Sequence, residues 1–324
     1  MTKRFQLLLV LSLIFGTTGY ASVADDSAGL RAKDHLARAI DLLDTYRGDS
    51  TKLETAKTLL EEIVQKDPDN APAFRELARY YIMRGHISYQ DFRPGSLDAA
   101  EASVKKALEI NPDYAEAYVL AGHLYRLMKR PVDARNALSR ADALGTEDPW
   151  LQNNWADVLL DDGKYEEAAQ RYQKVIDSET NNQKAMVVAF EGLGAYYKSI
   201  GRLDEADAIY RKTIAYEPES AWNHGNYAQF LLCMRDDYET AMEQAARALQ
   251  IMNYGVGRNI LASALYRKWA DQIMKGETVA ANESFANAAA KASGSPTQIV
   301  ASICGNCAAL KAVRNVESWS AIRR

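Results

Sequence analysis

Small residues recur along the chain at a spacing close to 34 residues. An alanine takes the same place in seven successive segments: Ala56, Ala100, Ala134, Ala168, Ala206, Ala241 and Ala281. Twelve positions earlier, a second small residue appears where no insertion intervenes, as at Gly122, Ala156 and Gly194. Such a period indicates a repeat architecture in which each segment is one supersecondary unit.

Each segment also has the hydrophobic pattern of two helices. Residues four and seven places after the alanine are mostly apolar, as at Leu60 and Ile63 or Tyr172 and Val175, and these spacings place them on one helical face. The small residues let the two helices touch closely, because packed interiors leave little free volume. Prolines close three of the units, at Pro68, Pro112 and Pro218. The pattern predicts an all-α array of helix-turn-helix units.

Two segments resemble complete tetratricopeptide repeats. The residues that carry the resemblance are Asn154, Trp155, Ala156, Gly163, Tyr165, Ala168 and Tyr172 in one, and Phe190, Leu193, Gly194, Tyr197, Gly201, Ala206, Tyr210 and Pro218 in the other. The resemblance covers most of the chain. It implies a right-handed superhelix of about six to seven units with a C-terminal capping helix, and a non-catalytic role in holding a protein or peptide partner.

The first residues of the chain predict export. Lys3 and Arg4 precede the apolar run Phe5–Phe15, and small residues follow at Ala21 and Ala24, which is the pattern of a secretory signal peptide. The apolar run is shorter than the roughly twenty residues that cross a bilayer. We therefore expect cleavage after Ala21 or Ala24, no stable membrane insertion afterwards, and a location in the bacterial periplasm.

The repeat pattern divides the chain into a signal peptide (1–24), a degenerate capping helix pair (25–70), a repeat array (71–294) and a closing helix with its tail (295–324). The closing helix is expected to begin at Ser295-Pro296-Thr297-Gln298, a capping box with proline in the first helical position. An insertion from His86 to Gly95 carries Tyr89 and Phe92. It is either a binding element or a helix extension that packs these aromatic residues locally.

The chain offers little that resembles catalytic chemistry. A formal net charge of −4 provides no basic surplus for nucleic acid. None of the four histidines has a metal-ligand spacing, so we predict no metal, no cofactor and no catalytic residue. Cys304-Gly-Asn-Cys307 is either a local disulfide that braces the last helix or a pair of free, buried cysteines. Cys233 is expected to pack inside the sixth unit.

In the tetratricopeptide family, five positions of each unit's first helix line a groove. Transferred to this sequence, the resemblance selects Arg75, Glu76, Arg79, His123, Arg126, Trp150, Asn153, Asn154, Asp157, Lys198, Trp222, Asn226 and Gln229. Arg75 and Arg79 resemble the start of a carboxylate clamp, but Leu120 stands where the next unit should supply an asparagine. The alternative is that these are ordinary polar residues on a solvated surface.

Trp150 and Trp222 are expected to anchor a partner if they are exposed, or else to pack between units. The leading interpretation is a periplasmic adaptor for a protein or peptide. A scaffold associated with envelope polysaccharide assembly or export is the alternative, and exposed tryptophans would favour it because sugar faces stack on aromatic rings.

Overall fold

The computed structural model describes residues 20–46, 48–88 and 91–322, with side chains described for 32–46, 48–87 and 91–318. The predicted signal peptide, apart from its last few backbone positions, and Tyr89 lie outside these residues. Seven antiparallel helix pairs follow one another in this part of the chain: α1 Tyr20–Asp44 with α2 Ser50–Lys66, α3 Ala71–Gly85 with α4 Ser96–Ile110, α5 Ala115–Leu127 with α6 Pro131–Leu144, α7 Pro149–Asp161 with α8 Tyr165–Asp177, α9 Gln183–Ser199 with α10 Leu203–Tyr216, α11 Ala221–Phe230 with α12 Tyr238–Ile251, and α13 Gly255–Met274 with α14 Thr278–Ala289. The predicted all-α repeat fold is confirmed.

Two strands, a π-helical segment and two helices lie outside these pairs. A short hairpin of β1 (His86–Ser88) and β2 (Asp91–Phe92) lies between α3 and α4. A π-helical segment, Leu231–Arg235, continues α11. Two helices, α15 (Pro296–Cys304) and α16 (Ala308–Ile322), end the described chain.

The phased small residues are the contact points between paired helices. All seven alanines of the repeat are 0% exposed. A Cβ atom added to Gly122 of α5 would collide with the side chain of Leu138 on α6, so the two helices meet there without a spacer. The period of the sequence therefore reports helix packing directly.

Helix starts follow the local chemistry of the sequence. The side chains of Asn70, Asn182 and Ser220 each accept a hydrogen bond from a backbone N–H in the first turn of the next helix. Ser295 and Gln298 form the predicted capping box, with Pro296 in the first turn of α15. These caps satisfy N–H groups that have no acceptor inside the helix.

The His86–Gly95 insertion is not a helix extension, which was one of the two alternatives considered for it. After Gly85 the chain forms the antiparallel strands β1 and β2, in which His86 pairs with Phe92. The rings of these two residues meet edge to face, with centroids 5.5 Å apart. Gly85 permits the close approach of Ser96, because a Cβ at this position would overlap the serine side chain. The extra residues thus make a hairpin and return the chain to α4.

The chain divides into two compact units, one that ends at Thr146 and one that begins at Glu147. In the N-terminal unit, Leu43, Leu60 and Tyr80 belong to a core shared by α1, α2 and α3, and Val104 and Leu124 belong to a second core. No helix among the described residues combines the length and hydropathy needed to span a bilayer.

In the C-terminal unit, Tyr172 and Phe190 belong to one core. A larger core joins Phe230, Tyr266 and Trp269 to apolar residues of the last two helices, namely Ile299, Val300, Leu310, Val313 and Val316. The helices α15 and α16 both pack against α13. The C-terminal capping helix is therefore a helical hairpin that belongs to the core of its unit.

Candidate partner-binding surface

The predicted binding residues lie on the first helix of each pair, and we call the side that carries them the A-helix face. In the N-terminal unit this face belongs to α3 and α5, and in the C-terminal unit to α7, α9 and α11. In both, several predicted residues have partners within the chain.

Glu76 is the centre of an ion-pair network in the N-terminal unit. Its side chain is buried, with 1% of the residue exposed, and it accepts hydrogen bonds from Arg75 and from Arg79, the latter at 2.7 Å. Arg79 also donates to Asp44 of α1. Glu76 was predicted to line the groove, and this is wrong because the carboxylate lies inside and is shared by the two arginines.

The same contacts change the interpretation of Arg75 and Arg79 as the start of a carboxylate clamp. Both guanidinium groups already bind carboxylates of their own unit, so two positive charges face two negative ones. His123 and Arg126 follow on α5, and both are half-buried. The charges of Arg75 and Arg79 are therefore compensated by carboxylates within their own unit.

The start of the C-terminal unit holds two buried amides. Asn153 is 1% exposed, and its Nδ2 donates to the backbone oxygen of Ala185 on α9 at 2.9 Å. Asn154 is 5% exposed. The prediction that both line an open groove is wrong for Asn153, because its amide joins two successive first helices, and the burial of Asn154 leaves little of its side chain for a partner.

Trp150 and Asp157 on α7 also contact their own unit. Trp150 is half-buried and packs against the core that contains Tyr172 and Phe190. The carboxylate of Asp157 accepts a hydrogen bond of 2.9 Å from the hydroxyl of Tyr172. Of the two roles considered for Trp150, packing is the one seen.

The stretch formed by α9 and α11 exposes more of its predicted side chains to solvent than α7 does. Asn226 donates from Nδ2 to Glu191 at 3.4 Å, and Lys198 is half-buried on α9. The pKa of Glu191 is raised, first because neighbouring protein atoms displace water from the carboxyl group and second because Glu217 carries a like charge.

Sequence reasoning missed Glu191. It lies three residues before Gly194, as Arg75 lies three before Ala78 and Asn153 three before Ala156. The repeat phase alone was therefore enough to find it.

Trp222 presents the largest exposed ring of the predicted set. It is 54% exposed at the start of α11, and its ring contacts that of Tyr254, with centroids 4.8 Å apart. The hydroxyl of Tyr254 lies 3.3 Å from the backbone oxygen of Ala221. Gly225 makes room for this hydroxyl, which a Cβ would contact too closely.

The end of α11 is occupied by the chain itself. Gln229 donates from Nε2 to the backbone oxygen of Ile303 on α15 at 2.7 Å. Four residues further on, Cys233 in the π-helical segment forms a disulfide with Cys304, the last residue of α15. Gln229 was predicted to face a partner, but its amide holds the C-terminal hairpin.

Neither alternative considered for Cys304 and Cys307 is seen, because Cys304 bonds to Cys233 and only Cys307 is free. Cys233 packs against the core of its unit as expected, but it is also a disulfide partner. Cys233 and Cys304 are the bonded pair, with Cα atoms 5.1 Å apart. Cys307 is a free thiol that precedes α16, where its Sγ accepts a hydrogen bond of 3.3 Å from the backbone N–H of Leu310. The docking of α15 on α11 brings together cysteines 71 residues apart in sequence.

Within the described part of the chain, no group of three or more His, Cys, Asp or Glu side chains is placed to hold a metal ion. The geometry is that of a helical surface with polar and aromatic side chains.

Comparison with known proteins agrees with the repeat architecture. A tetratricopeptide-repeat family model matches residues 92–153. Together with the seven phased helix pairs, the match shows that the chain has a tetratricopeptide-repeat fold.

Among curated proteins, the type IV pilus assembly protein PilF of Pseudomonas aeruginosa is 25% identical over 142 residues, which are 44% of this chain and 52% of PilF. The chain therefore spans about half the length of this relative. A solved structure of Pseudomonas aeruginosa PilF has a TM-score of 0.54 at 17% identity and covers 78% of this chain and 99% of that one. The Cut9–Hcn1 hetero-tetramer of the APC/C reaches 0.57 at 19% identity, over 75% of this chain and 46% of that one. These structural likenesses concern the fold.

Proposed function

We propose that this protein is an exported, non-catalytic adaptor that binds a protein or peptide segment on the A-helix face of its C-terminal unit. The observation that carries the proposal is the open stretch on α9 and α11, where Glu191 and Asn226 lie within hydrogen-bonding distance and Trp222 exposes more than half of its surface. An exposed aromatic ring beside polar groups is typical of an interface hot spot. Tetratricopeptide repeats in general act as interaction scaffolds.

The chemistry of this stretch favours a partner with a cationic side chain next to an apolar one. Glu191 and Glu217 raise each other's energy when both are ionised, and a lysine or arginine from a partner would offset that repulsion. Trp222 offers an apolar ring, and also a face on which a guanidinium group can stack. Asn226 can donate to and accept from a peptide backbone.

The proposed periplasmic location is supported by the leader pattern from Lys3 to Ala24. The resemblance to a type IV pilus assembly protein supports a role in assembly at the bacterial envelope. Cell fractionation and N-terminal sequencing of the mature protein test this part separately. A protein that retains Met1 and stays in the cytoplasm would contradict it.

Affinity capture tests the binding surface. The full chain, expressed with its own leader and purified from the periplasm, is used as bait in envelope extract. We expect Trp222→Ala and Glu191→Gln each to lower the recovery of a specific partner about tenfold, which corresponds to the loss of one interface contact. Tyr165→Ala is the matched control, because Tyr165 is 57% exposed on α8, the second helix of its pair.

Two results would count against the proposal. Equal recovery by all variants would remove the A-helix face of α9 and α11 as the binding surface. Quenching of tryptophan fluorescence by envelope glycans, without any protein capture, would favour the polysaccharide-associated scaffold instead.

A further inference from the structure

The C-terminal hairpin covers the end of the proposed binding surface and is fastened there in two ways. Gln229 bonds to the backbone of Ile303, and the Cys233–Cys304 disulfide follows within one turn of each helix. The fastening links the first helix of the sixth pair to the C-terminal end of α15. The amide of Gln229, at the end of the A-helix face, is therefore occupied by the chain itself.

A third cysteine lies next to the link. Cys307 follows Cys304 by three residues, and Gly305 between them adopts a positive φ of 58°, so the chain turns sharply at this point. Cys233, Cys304 and Cys307 are all half-buried and pack against the same apolar core. A free thiol and a disulfide thus border one cluster, and C-x-x-C is a spacing at which two cysteines are able to bond to each other.

We propose that these three cysteines form an internal thiol–disulfide exchange switch that fastens or releases the end of α15. The sulfur of Cys307, as thiolate, attacks Sγ of Cys304. The Cys304–Cys307 bond forms, the Cys233–Cys304 bond breaks, and Cys233 leaves as a thiolate. The proton lost by Cys307 is balanced by one gained at Cys233, so no external oxidant or reductant is consumed.

The two disulfide isomers differ in what they constrain. The Cys233–Cys304 bond spans 71 residues and ties α15 to the π-helical segment, whereas a Cys304–Cys307 bond closes only a local loop. Leu310, Val313 and Val316 are buried on α16, and we expect them to keep this helix in the core in either isomer. The release is therefore confined to the C-terminal end of α15 and to the amide of Gln229.

This regulatory role rests on the proposed function, but the exchange itself does not. Peptide mapping tests the exchange without any partner. Trypsin cleavage leaves Cys233 in the peptide 213–235 and both other cysteines in the peptide 292–311. The Cys233–Cys304 isomer therefore gives two cross-linked peptides, whereas the Cys304–Cys307 isomer gives two separate ones.

The full-length protein is incubated at mildly alkaline pH without added thiol, quenched with acid, and its free thiol is alkylated. We expect the label to start on Cys307 and to appear on Cys233 with time, at a rate independent of protein concentration. Cys307→Ser should accept no label. A label that stays on Cys307 throughout would overturn the switch.

Hydrogen exchange measures the release. Cys307→Ser can form only the Cys233–Cys304 bond, and Cys233→Ser leaves only the local pair. We expect the backbone amides at the C-terminal end of α15 to exchange at least about tenfold faster in Cys233→Ser, because local opening no longer has to stretch the cross-link. Equal rates in the two variants would contradict the release.

Partner capture by the same two variants separates this inference from the proposed function. Stronger capture by Cys233→Ser supports regulation of the surface, and equal capture overturns it. If neither variant captures a partner, the proposed function and its regulation fail, while the label still decides whether exchange occurs.

Discussion

The side-chain amide of Gln229 donates to the backbone oxygen of Ile303 over a distance of 2.7 Å, although the two residues are 74 positions apart in sequence. Most contacts in a repeat array join neighbouring repeats. This bond joins the first helix of the sixth pair to a helix that follows the seventh. The bond therefore connects two helices that are not neighbours in the repeat order.

We expect Gln229→Ala to lower the free energy of unfolding by about 1 kcal/mol, because the backbone oxygen of Ile303 loses its donor. Chemical denaturation of the oxidised protein measures the change. Gln173→Ala is the control, since the amide of Gln173 bonds to Asp177 on an exposed helical face. A loss no greater than that of the control would show that the Ile303 bond contributes nothing.

Replacement of Glu76 by alanine should be far more costly. It leaves Arg75 and Arg79 without their shared buried carboxylate, and breaking such a pair typically costs about 3–5 kcal/mol. Glu219→Ala is the matched control, because Glu219 pairs with Arg247 at an exposed site and should cost less than about 1 kcal/mol. Similar losses in the two variants would contradict the buried network.

Ala168→Leu tests the phased alanines. Ala168 is 0% exposed between paired helices, so added methylene and methyl groups should push the helices apart and cost about 1–3 kcal/mol or more. The same change at Ala286, which is exposed on α14, should stay within about 0.5 kcal/mol. Thermal unfolding of the two variants distinguishes them, and equal melting temperatures would refute the packing role.

Glu191→Gln should stabilise the protein at neutral pH while it weakens partner capture. The raised pKa of Glu191 means that the ionised carboxylate costs folding free energy at neutral pH. As pH falls through the folded-state pKa, the group becomes protonated in the folded protein, and below its ordinary value of 4.5 the cost is gone. The stability advantage of the variant should therefore fade in acid.

Unfolding experiments at a series of pH values measure this advantage. Glu283→Gln, on the exposed face of α14, provides the control. An advantage that grows as the pH falls would mean that folding lowers the pKa of Glu191, and it would contradict the prediction.

The repeat fold was predictable because its determinants are local and periodic. Ala168 and Ala206 are fully buried on the second helices of their pairs, so their spacing in sequence marks where successive pairs are packed. The capping box at Ser295 is equally local, since both of its hydrogen bonds lie within four residues. Each of these features depends only on residues close together in sequence, so a short segment is enough to predict it.

The candidate surface was less predictable because burial on it depends on neighbours that the period does not encode. Asn153 and Asn226 are both polar residues on the first helices of their pairs. Asn153 is buried because the backbone of Ala185 lies beside it, whereas Asn226 remains half-buried. The disulfide partner of Cys233 was missed for the same reason. Cys304 lies on α15, which follows the last helix pair, so the repeat period does not indicate that α15 packs near Cys233.

The C-terminal hairpin also determines when the sixth and seventh helix pairs finish folding. In a repeat array, a unit normally completes its core against the next repeat in sequence. Phe230 and Tyr266 instead share a core with Val313 and Val316 of α16. These two helix pairs therefore keep apolar surface uncovered until α16 docks, and a chain truncated before α16 should need a chaperone to stay out of aggregates.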